Sequence, residues 1–383
     1  MTSRQELGTS GRCFILRITM VLFSLTSAVL GQEQLNGWRL ADRGYELTFP
    51  KDHAAHPEYR IEWWYYTGNL ETSQGHRFGY QLTFFRVGID RQPQNLSTWA
   101  VRDLHMAHFA ITDIDRGLHR VAERLNRAGV GWAGASTETL HVWNEEWSAT
   151  LDGNLHRLQA SNTDTFGQLV LDLHLNGAEV LPVRHGDDGF SQKGQQNGNA
   201  SHYYSYTRLE TTGRLVIDGE AFEVAGLSWM DHEFGSSFLE QSQVGWDWFS
   251  IQLNDGTDLM VYTLRLLDGT LDSRSSGTLV TRDGITRIGF DEFQITPGRH
   301  WASPTSGAVY PVSWRVEVPK LGLALNVTAA LDAQELVTAK STGVTYWEGT
   351  INIHGTRNNV PVYGRGYLEM TGYAGPPMST VLR

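Results

Sequence analysis

Strand-like runs separated by glycine-bearing turns recur at about ten-residue spacing along most of this 383-residue chain, and that rhythm limits its fold more than any other feature. Ile61–Leu70 and Arg77–Ile89 flank Ser73-Gln74-Gly75. Asp152-Gly153 separates His141–Leu151 from Asn154–Ser161, and Asp218-Gly219 separates Arg214–Ile217 from Glu220–Trp229. Asn254-Asp255-Gly256 lies between Trp246–Leu253 and Asp258–Leu266. Asp-Gly pairs join adjacent antiparallel strands because glycine accepts positive φ at little steric cost. No long helical period intervenes, so the pattern predicts an all-β protein of meandering antiparallel barrels or sandwiches. The length suits two domains. A weak repeat agrees: Trp63-Trp64-Tyr65-Tyr66 and Trp246-Asp247-Trp248-Phe249 each open a hairpin in which the first Trp precedes a Leu by seven residues. A second barrel is therefore expected from near residue 240, with its junction around Gly235. The Gly-rich stretch from Arg184 to Ser201 reads as a functional lid or an open loop.

The N-terminus reads as an address. Arg4, Arg12 and Arg17 precede an apolar run, Ile18–Leu30, followed by Gly31-Gln32-Glu33-Gln34. A basic start, a short apolar core and a small residue before polar sequence predict a cleaved secretory signal over residues 1–31. The run is too short to span a bilayer comfortably. Cys13, the one cysteine, falls inside the removed segment, so the exported chain is expected to be periplasmic or secreted, with neither a disulfide nor a thiol nucleophile. The net charge of −11 becomes more negative once this basic segment is removed. Such acidity offers no electrostatic footprint for nucleic acid or an anionic membrane.

Strand alternation sorts the candidate residues. Along Trp246–Leu253, Trp246, Trp248, Ser250 and Gln252 share one face, opposite the more aliphatic Phe249, Ile251 and Leu253. Along the strand from Phe78, Tyr80, Leu82, Phe84 and Arg86 oppose Gln81, Thr83, Phe85 and Val87. An indole face mixed with hydrogen-bonding groups suits a ligand cavity; a plain Trp-rich core is the alternative for the 13 tryptophans. Arg86 could pair inside a barrel or sit at its rim.

Several chemistries lack their motifs: there is no Gly-x-Ser-x-Gly elbow, Walker loop or His-Glu-x-x-His. No cofactor or metal is called for, since His105 and His108 lie three apart and face opposite sides of a strand. Two polar–aromatic runs remain. In His56-Pro57-Glu58-Tyr59-Arg60-Ile61-Glu62-Trp63-Trp64-Tyr65-Tyr66, Glu62 is either a buried carboxylate or a surface partner of Arg60. In Ser228-Trp229-Met230-Asp231-His232-Glu233, an extended chain places Trp229, Asp231 and Glu233 on one face and His232 on the other. A carboxyl beside an indole in a dry cavity keeps its proton and makes a general acid; a surface Asp-His-Glu turn is the alternative.

These runs resemble the AttH-type secreted proteins, relatives of carotenoid 1,2-hydratase (hydroxyneurosporene synthase). His56-Pro57, Glu62-Trp63-Trp64-Tyr65-Tyr66, Phe78-Gly79-Tyr80-Gln81, Met106-Ala107-His108-Phe109, Trp229-Met230-Asp231, Gly245-Trp246-Asp247-Trp248-Phe249 and Tyr346-Trp347-Glu348-Gly349 carry the likeness. The resemblance implies two tandem lipocalin-like barrels, over 32–238 and 239–383, with an apolar-ligand cavity in or between them. It implies hydratase chemistry on an isoprenoid or lipid, with Asp231 as the acid; the residues beside it, His232 or Glu233, are the candidates to hold the water and accept its proton. The ligand would be contacted by Glu62, Trp63, Trp64, Tyr65, Gln81, Phe84, Arg86, His108, Tyr204, Trp229, Trp246, Trp248, Gln252 and Trp347. A non-catalytic lipid carrier or an accessory to an ABC transporter is the competing reading, and a secreted hydrolase a third.

Overall fold

The computed structural model describes residues 34–35 and 37–381, apart from 96, 98, 197 and 238. The expected signal segment, 1–31, lies outside them. Eleven of the thirteen strands of the first sheet form one continuous path: β1 (Ile61–Glu71), β2 (Arg77–Gly88), β3 (Asp103–Asp113), β4 (Leu118–Arg127), β5 (Ala133–Ala135), β6 (His141–Asn144), β7 (Trp147–Asp152), β8 (Leu155–Asp164), β9 (Gly167–Asn176), β10 (Ala200–Ile217) and β11 (Glu220–Ser237). Their order is β4-β3-β2-β1-β11-β10-β9-β8-β7-β6-β5, antiparallel throughout. Pairing of β1 with β11 rolls the sheet into a nearly closed barrel. Side chains bridge the remaining gap: Arg124 Nη1 donates to the Asn144 carbonyl at 3.0 Å, and Asn126 Nδ2 to Asn144 Oδ1 at 2.8 Å.

The second sheet contains β12 (Gln243–Leu253), β13 (Asp258–Leu266), β14 (Ser276–Thr281), β15 (Gly284–Ile288), β16 (Gln294–Pro297), β17 (Ser313–Val318), β18 (Leu323–Ala329), β19 (Thr345–Arg357) and β20 (Val360–Met370). Its order, β15-β14-β13-β12-β20-β19-β18-β17-β16, again pairs the opening strand with the closing one. The two Trp-bearing hairpins therefore hold equivalent places, β1–β2 and β12–β13. The architecture is two lipocalin-like antiparallel units, nearly all β.

Local sequence explains most joints. Asp218 and Gly219 take φ of 54° and 86°, the mirror-image turn whose twist suits two long strands. Two expectations change. The run His141–Leu151 is two strands, because Glu145 adopts φ of 57° and a tight turn forms there. The stretch from Arg184 to Ser201 is not an open loop: Val183–Arg184 and Phe190–Gln192 pair with β10, and His185 and Lys193 are buried. Backbone pairing satisfies donors that an open loop would leave to solvent.

Each sheet has its own core. Trp64, Tyr66, Tyr80, Leu82, Phe109 and Met230 fill the first barrel. Phe249, Ile251, Val316, Leu325, Trp347, Ile351 and Leu368 fill the second. The opposite faces of β1, β11, β12 and β20 meet in a third cluster containing Tyr65, Tyr203, Trp229, Trp248 and Tyr367. Gly79 lets the sheets approach here, since a Cβ would lie 2.8 Å from Thr350 Cγ2.

A charged group closes one end of the first barrel. Arg86 Nε donates to Glu62 at 3.1 Å, its Nη1 to Asp103 at 3.0 Å, and its Nη2 to the carbonyls of His56 and Tyr59. Of the readings open for Arg86 and Glu62, the interior ion pair is the one found. Burial would raise the Glu62 carboxyl, but hydrogen bonds from His232 and His56 and the charge of Arg86 hold it well below the usual carboxylate range. Removing one partner strands a buried charge. Arg86→Met should therefore cost about 3–5 kcal/mol in urea unfolding, and adding Glu62→Gln should restore much of the loss.

Candidate functional site

Strand alternation gives each seam-facing residue its position. Odd-numbered residues of β1 and β2, even-numbered residues of β3, β12, β13 and β19, and Asp231 and Glu233 of β11 all point between the sheets. They enclose a cavity of about 290 Å³. Its walls are mainly apolar and aromatic, with Trp63, Tyr65, Phe85, Trp246, Trp248 and Tyr262 prominent. Polar groups converge at a few points, the usual design of a small-molecule site.

Asp231 is the most informative. It lies in mid-strand between β10 and β1, not on a surface turn, and is only 5% exposed. Trp229 Nε1 donates to Oδ1 at 2.6 Å, Ser205 Oγ also donates to Oδ1, and Tyr203 Oη donates to Oδ2 at 2.7 Å. Trp248 Nε1 in turn donates to Tyr203 Oη at 3.1 Å, linking the second sheet to the carboxyl. Burial pushes Asp231 up to about 7, against the pull of its three donors and with help from the nearby Glu233 charge. It therefore holds or releases a proton near neutrality.

The neighbours are differentiated. Glu233 accepts from Ser201 and pairs with Lys193 Nζ at 3.1 Å, and that ammonium also lies over the rings of Tyr203 and Tyr262. His185 meets Ser205 Oγ at 2.7 Å and Thr278 Oγ1 at 2.9 Å, so it braces a donor of Asp231 from behind. On the far wall His108 meets Tyr346 Oη at 2.7 Å and Ser341 Oγ at 2.9 Å, and burial pushes its imidazole down to about 3. Gln81 Nε2 donates to the same Tyr346 Oη at 3.1 Å. Glu348 and Glu369, opposite one another on β19 and β20, complete the polar set.

Among the residues expected from the sequence, Asp231, Glu233, Trp63, Tyr65, Gln81, His108, Trp246 and Trp248 line this cavity. Trp229 stands behind it, bonded to Asp231. Gln252 stitches the sheets by donating to the carbonyls of Thr207 and Ser228. The others lie elsewhere. Trp64, Phe84 and Tyr204 belong to the first barrel's core, and Trp347 to the second's. Glu62, Arg86 and His232 form the buried network, with His232 Nε2 at 2.9 Å from Glu62. The reason is the two-residue period: each is adjacent in sequence to a cavity residue and so faces away from it.

Tyr203, Lys193, His185, Tyr346, Glu348 and Glu369 went unselected from the sequence. For Tyr346 and Glu348 a signal was present, since they flank Trp347 in a motif and alternation places them opposite it. For Lys193 and His185 no periodic signal exists.

His56, Glu62 and His232 also bring ligand-type atoms within 4.8 Å of one another. Their valences are already used: Glu62 accepts from both imidazoles and from Arg86, whose charge opposes a divalent cation. The set fits an ion-pair network better than a metal centre.

A raised Asp231 implies a sign for stability. The folded chain holds this proton more tightly than the unfolded chain, so its contribution is full below the usual Asp range and is lost as pH rises through about 7. Asp231→Asn should raise the thermal midpoint relative to the native chain more at alkaline than at acidic pH. A difference that does not vary with pH would contradict a buried protonated carboxyl.

A family model described as AttH-like matches residues 40–373. Among solved structures, a protein assigned as AttH from Nitrosomonas europaea is 34% identical with a TM-score of 0.79, the match covering 88% of this chain and 99% of that one. Kievitone hydratase from Nectria haematococca shares the fold at 16% identity and a TM-score of 0.65, covering 88% of this chain and 96% of its own. No curated protein matches the sequence.

Proposed function

This chain belongs to the AttH-like family, and on that premise we propose that it is an exported, hydratase-type acid catalyst acting on an apolar, isoprenoid-like molecule bound between its two sheets. The observation that carries the reading is Asp231: a buried carboxyl in an aromatic cavity, without an arginine partner, that burial holds protonated up to about pH 7. The fold shared with a named hydratase agrees with it.

In this mechanism the Asp231 proton passes to the less substituted carbon of a terminal C=C bond. The π electrons form the new C–H bond, and the cation develops on the tertiary carbon. The faces of Trp63, Trp246 and Trp248 stabilise that cation, by about 2 kcal/mol or more per well-placed ring in a dry site. Water adds to the cation and its spare proton returns to the Asp231 carboxylate, so the acid is regenerated. Glu233, on the same face as Asp231, is the group that can orient this water; His232 is turned into the barrel and serves Glu62. Tyr203, Ser205 and Trp229 hold the carboxyl in place. A pure carrier would need the cavity but has no use for a carboxyl whose proton is poised near neutrality.

Replacement of the acid tests the reading. Asp231→Asn should lower hydration of a prenyl-type olefin by about 10²–10⁴-fold, read as incorporation of ¹⁸O from labelled water, while binding of the olefin persists. Unchanged turnover would sink the mechanism and leave the carrier. Export is testable separately: protein from the extracytoplasmic fraction should begin near residue 32 on N-terminal sequencing, and an intact Met1 there would oppose a cleaved signal.

A further inference from the structure

The Glu348–Glu369 end of the cavity has no task in the hydration scheme. Glu348 is 1% exposed and lines the cavity, and among the described residues no hydrogen bond of good geometry reaches either of its oxygens. The Tyr65 hydroxyl faces it and favours its ionised form, without forming a hydrogen bond of good geometry. Glu369 stands directly across the β19–β20 ladder and accepts one bond, from Trp246 Nε1 at 3.1 Å. Carboxyls opposite one another on paired strands repel when ionised, and a buried polar atom left unbonded is costly.

Among the described residues, no cationic side chain is paired with either. Four carboxyls, Asp231, Glu233, Glu348 and Glu369, line the cavity against a single ammonium, Lys193, and that one is paired with Glu233. The acids relieve the repulsion by holding protons: burial raises Glu348 well above the usual range and Glu369 to about 7. A cation entering from outside would displace those protons and fill the open valences together. The surrounding aromatic faces favour an organic ammonium, because ring faces attract a weakly hydrated cation and carboxylates accept its N–H bonds.

We propose that Glu348 and Glu369 form a subsite for a protonated amine, so that the cavity's ligand is an apolar molecule carrying a basic nitrogen. The proposal rests on the reading of this cavity as a ligand site. On binding, a glutamic acid gives its proton to solvent and the resulting carboxylate accepts the ammonium N–H; the amine's own protons stay in place.

The test compares octylamine, octanol and octanoate on the full chain near neutral pH by calorimetry. Octylamine should bind at least about tenfold more tightly than octanol, with octanoate weakest, as expected of a charge-assisted contact in a dry site. Its heat should vary with the buffer's ionisation enthalpy, reporting release of about one proton per amine bound. Glu348→Gln should remove the octylamine preference while octanol binding persists, which also certifies the fold of the variant. Octanol binding as tightly as octylamine, or amine binding without proton release, would overturn the amine subsite and leave the cavity reading standing. Failure of all three probes to bind would overturn both.

Discussion

Strand β1 and the second half of β11, from Ser228, have a barrel core on one side and the other sheet on the other, so neither face meets water there. This double burial governs the rest of the molecule. Consecutive aromatics such as Trp63-Trp64-Tyr65-Tyr66 make sense only under it, because alternate residues must satisfy two different apolar surroundings. Trp64 and Tyr66 complete the first barrel, while Trp63 and Tyr65 line the space between the sheets. The cavity is thus a product of packing two barrels on their outer walls.

The two faces treat charge in opposite ways. Inside the barrel, Glu62 is surrounded by Arg86, His56 and His232 and stays ionised below its ordinary range. On the outer face of that barrel wall Asp231, joined there by Glu348 and Glu369 of the second sheet, has few or no cationic partners, and burial raises all three. Pairing makes the first group a structural closure that ties residues 52–60 to the barrel end. Lack of pairing makes the second group responsive to protons and to ligand charge, which is the condition for acid chemistry.

Much of the site was legible because strands have a period of two. Placing Trp229, Asp231 and Glu233 on one face, with His232 opposite, needed only the pleat, and the structure has that arrangement. The same rule separates Trp246 and Trp248 from the aliphatic face of β12. What the period cannot supply is which face looks at what. Trp64, Phe84 and Trp347 share the composition of ligand-facing aromatics yet fill cores, since an indole is equally suited to either environment. Lys193 and His185 reach the seam from a segment whose Gly-rich composition reads as open loop. Only its pairing with β10 carries them inward.

The sequence by itself determined the strand rhythm, the Asp-Gly turns, the equivalence of the two Trp hairpins and the alternation along each strand, because these depend on neighbours within a few residues. The tertiary structure decided that the cavity lies between the sheets, that Arg86 pairs with Glu62 inside the barrel, and that Glu348 and Glu369 face Asp231 from the other unit. The first and last of these depend on residues more than a hundred positions apart being brought to one seam, whereas Arg86 and Glu62 are partners across a single hairpin and needed only the barrel to close over that face. Burial and the absence of partner charges, which set the protonation of its acids, come into existence only when that seam closes.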